Sequence, residues 1–178
     1  PWVVVWLMVY QRLHANAPLS DAVSELFRMR EHLPPNRRIT EETLSSNTGA
    51  YSTARSRLHP EIAESVSDQV FQTLMDGSPP SWEGRRAFIM DGTTSALASL
   101  DELRREFPPA PNQHRPSAWP ILHWAVAHEL SSACALRPEI GAKYGPQAVG
   151  EVTLAIRMLP RLPLHSLVMA DRNFGVFV

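Results

Sequence analysis

The chain has 178 residues, 44% of them hydrophobic, which is enough for one ordinary domain or two small domains with a real core. The 17 Lys and Arg nearly balance the 18 Asp and Glu, which excludes a histone-like polycation but allows a local DNA-binding patch. The single cysteine, Cys134, excludes an internal disulfide and a cysteine-based zinc site. These features favour an intracellular location.

The opening segment PWVVVWLMVY is apolar but only about half as long as the ~20 residues of a membrane span, and it has no basic leader. We therefore expect no membrane segment and no signal peptide. Because the first residues already resemble the middle of a helix, we also expect the true N-terminus to be missing. The spacing predicts a helix over residues 2–14, with one buried side formed by Trp2, Val5, Trp6, Val9 and Leu13.

A second helix is predicted after Pro18, with Ser20 as its N-cap and Pro34 and Pro35 after its end. The next stretch predicts two short helices around the turn residues SSNTG. The first helix begins at Thr40 and runs through Leu44. The second runs from about Ala50 to Leu58, with Ala50, Ala54 and Leu58 facing inward and Tyr51 and Arg55 facing outward, with Arg57 nearby.

This pair of helices resembles a helix-turn-helix, whose second helix enters the major groove of DNA. The resemblance makes Tyr51, Arg55 and Arg57 candidate DNA contacts. The alternative is that this is the solvated basic face of an ordinary helical domain, because many such domains contain a similar corner. The pattern alone leaves both interpretations open.

A further helix is predicted over about residues 61–75, with Ile62, Val66, Val70 and Leu74 on its buried stripe. Asp76 and Gly77 stop it, and SPPSW forms a linker. Because the pattern changes from helical to strand-like at this point, we predict a domain boundary near residue 80. The predicted parts are a helical segment over residues 1–80, which is the candidate DNA-binding part, and a second domain over residues 81–178.

The second domain begins with AFIMDGTT, an apolar run that predicts a strand buried on both faces and ending at Asp91. Two strands over about 120–129 and 131–137 are predicted to form a hairpin with a turn near Leu130. A helix over 147–159 and the strand SLVMADRNF follow, and the latter delivers Asp171. Strand, hairpin, helix and strand in this order predict a mixed α/β sheet.

The two strand-terminal acids, Asp91 and Asp171, are the candidate catalytic and metal-binding residues. Open α/β sheets place ligands at the carboxyl ends of their strands, and neighbouring carboxylates there repel each other unless a cation joins them. Oxygen ligands favour Mg²⁺ or Mn²⁺. The alternative is that each acid is only an N-cap or turn residue. We expect no zinc site at His123 and His128, since their spacing on a strand points them to opposite faces.

At these residues the sequence resembles the IS4 group of transposases, which carry an Asp-Asp-Glu triad on a ribonuclease H-like fold. The resemblance lies in FIMDGTT, SAWPILHWAVAHELSSACALRPEIG and VMADRNFG, with TGAYSTARSRL in the helical part. It implies an incomplete ribonuclease H-like catalytic core that cuts and joins DNA by phosphoryl transfer. It also implies a bacterial, cytoplasmic, DNA-associated protein.

The resemblance further implies two Mg²⁺ or Mn²⁺ ions in the intact enzyme, held by Asp91, Asp171 and a later glutamate, with Asp91 bridging both ions. Arg172 would contact DNA phosphate or form a surface ion pair. The implied partners are transposon-end and target double-stranded DNA and a second copy of the chain in a synaptic homodimer. The family's catalytic glutamate lies well beyond the second aspartate, so this chain does not contain it, and we expect the chain alone to be inactive.

Two other functions stay open at this point. The first is a DNA-binding remnant or accessory protein that binds DNA ends without cutting them. The second is a ribonuclease H-like nuclease that hydrolyses nucleic acid without strand transfer.

Overall fold

The computed structural model describes residues 1–35, 37–111 and 117–175. By its contacts the chain forms two compact units, Pro1–Ser65 and Val66–Val178. The first unit is helical and the second holds a mixed four-stranded sheet with helices, so the predicted α/β organisation is confirmed. The predicted boundary near residue 80 falls in a loop of the second unit, and as a domain boundary it stays a prediction. Within the described ranges, no helix is long and apolar enough to cross a membrane.

The helices of the first unit are short. They are α1 (Trp2–Leu13), α2 (Leu19–Arg28), α3 (Arg37–Thr40), α4 (Thr48–Ser56) and the beginning of α5 (Pro60–Asp76). A 3-10 turn, Arg30–His32, follows α2.

The core of the first unit lies where α1, α2 and α4 meet, and its buried side chains are Leu7, Ala22, Val23 and Tyr51. The predicted buried side of α1 is wrong, because Trp2, Val9 and Leu13 are exposed. Since α1 is almost wholly apolar over its first turns, its sequence contains more than one apolar stripe. The stripe that meets α2 and α4 is the one that is buried.

The first helix of the predicted helix-turn-helix is also wrong. Thr40 is the last residue of α3, not an N-cap, and the chain leaves the helix at Glu42, whose φ of 52° lies in the left-handed region. The second helix is confirmed within two residues. Its true N-cap is Asn47, whose side-chain oxygen accepts a hydrogen bond of 2.8 Å from the Gly49 amide.

The second unit is built on a sheet with the strand order β3-β2-β1-β4. Neighbouring strands β1 and β2 are antiparallel, as are β2 and β3, whereas β1 and β4 are parallel. Its elements are β1 (Ala87–Ala96), α6 (Asp101–Glu106), β2 (Ile121–Glu129), β3 (Glu139–Ala142), α7 (Glu151–Met158) and β4 (Leu167–Met169). Two 3-10 turns, Leu159–Arg161 and Arg172–Phe174, follow α7 and β4.

Strand β1 differs from its prediction in length and burial. It continues beyond Asp91 to Ala96, because β2 pairs with it from Phe88 to Ala96. Its burial alternates at the start, with Phe88 and Met90 buried and Ile89 46% exposed, so it is buried on one face and not on both.

The second strand of the hairpin lies later than predicted. After β2 the chain turns and forms an isolated bridge between His128 and Ala135, and only at Glu139 does it enter β3. The predicted strand over 131–137 is therefore wrong. Proline has no N–H to donate to a ladder, and Pro138 separates the bridge from β3.

The core of the second unit lies on the inner face of the sheet, where Phe88, Met90, Ala125 and Ala127 pack against α7 and the end of α5. The predicted stripe of α5 is wrong in its second half. Helix α5 buries Phe71 and Met75 while Val70 and Leu74 are about half exposed, and α7 buries the group Leu154, Ala155 and Met158.

Candidate functional site

Asp91 lies in the middle of β1, not at its carboxyl end as predicted. Its carboxylate Oδ1 accepts a hydrogen bond of 2.8 Å from the amide of the next residue, Gly92. The side chain is exposed, and it alternates with the buried inner residue Met90. Asp91 is therefore an open carboxylate on a central strand, and its accessibility leaves it free to meet a ligand.

Asp171 follows β4 and caps the 3-10 turn Arg172–Phe174. Its Oδ1 accepts from the Asn173 amide at 2.8 Å, and its Oδ2 accepts from the Asn173 side-chain nitrogen at 3.1 Å. Asp171 therefore acts as the N-cap of this turn, as the alternative prediction for this acid proposed. Capping leaves the carboxylate exposed, so it does not exclude a ligand. Arg172 is exposed in the same turn.

The register of the parallel pair relates the two acids. Ala87 pairs with Leu167 and Ile89 pairs with Met169, and Asp91 and Asp171 each lie two residues beyond this last pair. The two predicted site residues therefore have the same offset from the end of the β1–β4 ladder, although Asp91 still lies within β1 and Asp171 lies after β4 has ended. A sequence pattern can suggest such a placement, but the ladder of β1 and β4 is what establishes the register.

The carboxylate oxygens of Asp91 and Asp171 are ligands of the type that a hard divalent cation prefers. Mg²⁺ is commonly held by one or two protein carboxylates, with water and substrate phosphate completing the octahedron. Asp91 and Asp171 supply that many. Among the described residues, no group of three or more His, Cys, Asp or Glu side chains is arranged to hold a metal ion.

Glu151 lies close to this region, although the order of residues gave no reason to select it. It begins α7, and its carboxylate rests against the backbone of Gly92, so that a Cβ built on Gly92 would overlap its Oε1 atom. A side chain at position 92 would have to displace that carboxylate. The sequence signal was the glycine itself, since a glycine inside a strand often marks a close approach.

A groove of about 380 Å³ adjoins Asp171 on the α7 side of the sheet. Its lining is largely apolar and includes Met90, Val152, Val168 and Phe174. Asp171 is the only carboxylate among the described residues that line it. The second predicted acid therefore lies at the edge of an apolar surface.

The prediction that His123 and His128 face opposite sides of a strand is confirmed. His123 is buried and His128 is exposed, which places them on opposite faces of β2. The His123 Nδ1–H donates to the Val149 carbonyl at 2.8 Å and so fixes the loop before α7. Cys134 packs partly against the core, and burial, with a smaller effect from the charge of Glu129, raises its thiol pKa.

Glu129, at the end of β2, is the fully buried acid that the sequence did not reveal. Its Oε2 accepts from the Ser132 amide at 2.6 Å and from the Ser132 hydroxyl at 2.8 Å, and its Oε1 accepts from the Ser81 hydroxyl at 3.1 Å. Burial alone would raise the pKa of Glu129, but these hydrogen bonds outweigh it and the net pKa lies below its ordinary value. The network joins the hairpin turn to the segment before β1, which is a structural role.

The three predicted DNA contacts, two on α4 and one at its C-cap Arg57, do not share one surface. The outward placement of Tyr51 is wrong, because it is 5% exposed and its hydroxyl donates to Gln11 Oε1 at 2.9 Å. The Arg55 guanidinium carbon lies 5.7 Å from the centroid of the Tyr51 ring. Arg57 is exposed and lines a different groove, on the side of α4 that carries Gly49 and Thr53.

Comparison with known proteins adds no relative. No family model matches the chain, and neither the curated proteins nor the solved structures that were searched contain a match.

Proposed function

We propose that this chain is part of a DNA transposase of the IS4 type, in which Asp91 and Asp171 bind the divalent metal for phosphoryl transfer. The observation that carries this proposal is the β1–β4 register, because both acids follow the last pair of that parallel ladder by two residues. The sequence resemblance supports the same pair through the motifs FIMDGTT and VMADRNFG.

The sheet supports the ribonuclease H-like part of the proposal. That fold, as the resemblance implies it, has a first strand, a hairpin, a helix and a fourth strand. Here β1 pairs with β2, β2 with β3, and after α7 the fourth strand returns beside β1 in parallel. Under this interpretation the described sheet is the first part of the catalytic core.

Asp91 and Asp171 would hold Mg²⁺ or Mn²⁺, and the bound cation would polarise the phosphoryl group and stabilise the leaving oxygen. The chain's own residues orient these ligands. The Gly92 amide fixes one oxygen of Asp91, and Asn173 donates to both oxygens of Asp171. Arg172, exposed beside Asp171, would contact a DNA phosphate. No described residue takes the role of the third carboxylate.

The partners in this proposal are transposon-end and target double-stranded DNA, with a second copy of the chain in the synaptic complex. The exposed arginines of the first unit support DNA binding because guanidinium groups match phosphate geometry. Arg57 is one of the proposed DNA contacts. Tyr51 is not a proposed DNA contact, because its side chain is buried in the core of the first unit.

A second candidate function is DNA binding without cleavage, as in a remnant or accessory protein. The observation that favours it is the engagement of both Asp171 oxygens by Asn173, which gives this acid a sufficient role as a turn cap. The two functions differ in whether the acids bind a cation.

Calorimetric titration with Mn²⁺ and Mg²⁺ tests the proposal. The wild-type chain is expected to bind Mn²⁺, and Asp91→Asn and Asp171→Asn are each expected to weaken binding by at least about tenfold. Asp101→Asn, which changes an exposed acid in the first turn of α6, serves as the control. Equal Mn²⁺ binding by wild type and both variants, or no binding by wild type, would contradict the proposal. An assay for joining of labelled transposon-end DNA would separate a transposase from a hydrolytic nuclease.

A further inference from the structure

The chain contains two Asp-Gly steps, Asp76-Gly77 at the end of α5 and Asp91-Gly92 within β1. Because glycine has no Cβ, its backbone nitrogen can approach the side chain of the preceding aspartate more closely than the nitrogen of another residue can. That approach allows the aspartate to cyclise onto the main chain as a succinimide. The surroundings of each step decide whether its nitrogen is free to react.

The described ladders of the sheet do not use the Gly92 amide. At the start of the β1–β2 ladder the Leu130 amide donates to the Ala87 carbonyl. Hydrogen-bonded and non-hydrogen-bonded pairs alternate in an antiparallel ladder, so Gly92, five residues further along an unbroken register, directs its N–H away from β2. On the other side of β1, the ladder with β4 has already ended at the pair Ile89 and Met169.

This amide is directed instead at the side chain of the preceding residue. The Gly92 N–H donates to Asp91 Oδ1, with 2.8 Å between nitrogen and oxygen. Since Oδ1 is bonded to Cγ, the nitrogen also lies beside the carboxyl carbon that it would attack. Groups that the fold holds in contact react much faster than groups that must first meet. Asp91 is exposed, so water has access to the cyclic product.

The other step is held in an unreactive arrangement. The Gly77 amide donates to the Thr73 carbonyl at 3.1 Å, and Asp76 Oδ1 accepts from the side-chain nitrogen of Gln72 at 2.6 Å. The nitrogen and the carboxylate of this step are therefore each engaged by another group. Asp76 is exposed, as Asp91 is, so exposure does not distinguish the two steps.

Packing against β1 also favours a glycine at position 92. The Glu151 carboxylate occupies the space in which a side chain at this position would lie. A larger residue would have to displace that carboxylate. The reactive Asp-Gly step in β1 is therefore a consequence of the way in which Glu151 packs against the strand.

We propose that Asp91 is a site of spontaneous isomerisation to isoaspartate. The Gly92 nitrogen forms a bond to Asp91 Cγ and loses its hydrogen, and the carboxyl hydroxyl leaves with that hydrogen as water. Water then adds to the main-chain carbonyl carbon of Asp91, and the bond from that carbon to the Gly92 nitrogen breaks. The chain then continues through Cγ, and the former main-chain carbonyl becomes the free carboxylate. The water lost on closure is regained on opening, so the atoms balance.

Isomerisation would lengthen the main chain of β1 by one carbon atom and would move the carboxylate of Asp91. Under the proposed function this change would displace a metal ligand, but the reaction itself needs neither metal nor DNA. Failure to detect isoaspartate would therefore leave the proposed function standing. A chain that does not bind Mn²⁺ would likewise leave the isomerisation standing.

The test is prolonged incubation of the metal-free chain, followed by peptide mass spectrometry with electron-transfer fragmentation, which distinguishes isoaspartate from aspartate. In the folded chain, isoaspartate is expected to accumulate at Asp91 at least about tenfold faster than at Asp76, because only the Gly92 nitrogen is positioned for attack. In guanidinium chloride neither nitrogen is positioned, so the two rates should converge. Equal rates in the folded chain, or a faster rate at Asp76, would overturn the proposal. A ratio that does not change on unfolding would overturn it too.

A variant pair tests the role of the Gly92 nitrogen without moving Glu151. In a Glu151→Ala background, Gly92→Ala should slow isomerisation at Asp91 by at least about tenfold relative to Glu151→Ala alone, because the added methyl group hinders the approach of the nitrogen. Gly77→Ala is the matched control and should leave the rate at Asp91 unchanged. An undiminished rate at Asp91 in the double variant would contradict the proposal. The comparison of the two steps within the wild-type chain decides the question even if the double variant does not fold.

Discussion

Asp91 and Asp171 each lie two residues beyond the last pair of the β1–β4 ladder, Asp91 within β1 and Asp171 after the end of β4. The Gly92 amide donates to the Asp91 carboxylate within β1, and the Asn173 amide donates to the Asp171 carboxylate in the 3-10 turn after β4. Under the proposed function the two carboxylates would share a divalent cation, which would offset the repulsion between their charges. This relationship is the structural basis of the proposed function.

Glu129 should make the second unit sensitive to acid. Glu129→Gln replaces a carboxylate that accepts three hydrogen bonds, and we expect a loss of about 1–3 kcal/mol in unfolding free energy near neutral pH. The folded-state pKa of Glu129 is below its ordinary value of 4.5, so its stabilisation is present above that value and is lost as pH falls through the folded pKa. Urea unfolding of wild type and variant at a series of pH values measures both effects.

The matched control for Glu129 is Glu106→Gln, which changes an exposed acid at the end of α6. It should leave the unfolding midpoint unchanged. If the wild type and Glu129→Gln differ by the same amount at pH 7 and at pH 3, the charged form of Glu129 is not the source of the stabilisation.

The close approach of Glu151 to Gly92 predicts a specific coupling. Gly92→Ala places a methyl group where the Glu151 carboxylate now lies, so the carboxylate must move, and we expect a cost of about 1 kcal/mol in stability. In a Glu151→Ala background the same change should cost nothing, because the obstructing atoms are gone. A double-mutant cycle by chemical denaturation measures this coupling.

Gly150→Ala is the control for that cycle, because a Cβ on Gly150 meets no atom within 4 Å. The interaction free energy between Gly150→Ala and Glu151→Ala should be no larger than a few tenths of a kcal/mol. Additive effects of Gly92→Ala and Glu151→Ala would show that the two side chains do not compete for the same space.

The sequence predicts the order of the helices and strands better than it predicts their buried faces. The order of elements follows from periodicity and turn residues, and the α4, α5 and β1 segments were located within a few residues. The buried faces were not. In α5, Val70 and Leu74 follow the same helical spacing as Phe71 and Met75, and only the approach of the sheet decides that the second pair is buried.

The candidate site divides in the same way. Asp91 and Asp171 could be selected because acids after apolar runs are unusual. Their correspondence depends on which strands pair, which periodicity does not determine. Glu151 could not be selected, because its approach to Gly92 arises from the position of α7 on the sheet. Tyr51 was misplaced because a tyrosine suits both a surface and a core, and here Gln11 provides the hydrogen-bond partner that allows its burial.

Tyr51 should act on stability and not on DNA binding. Tyr51→Phe removes the hydrogen bond to Gln11 and should lower the unfolding free energy by about 0.5–1.5 kcal/mol. Its affinity for a 30-base-pair duplex should equal that of wild type, since the side chain is buried and its hydroxyl pKa is raised by that burial. Denaturation and anisotropy on the same preparation measure the two quantities. A loss of DNA affinity with unchanged stability would restore Tyr51 as a DNA contact.

The central claim, that Asp91 and Asp171 share one divalent cation, is tested most directly by adding Mn²⁺ to the ¹⁵N-labelled chain and following its amide signals. The amides of Gly92 and Asn173 each donate to one of the two carboxylates, so they report on Asp91 and Asp171 separately. We predict that both signals broaden together at the lowest Mn²⁺ concentrations, and that Asp171→Asn weakens the broadening of the Gly92 signal as well. Broadening of only one of the two, or of neither while signals near other acids broaden, would contradict the claim.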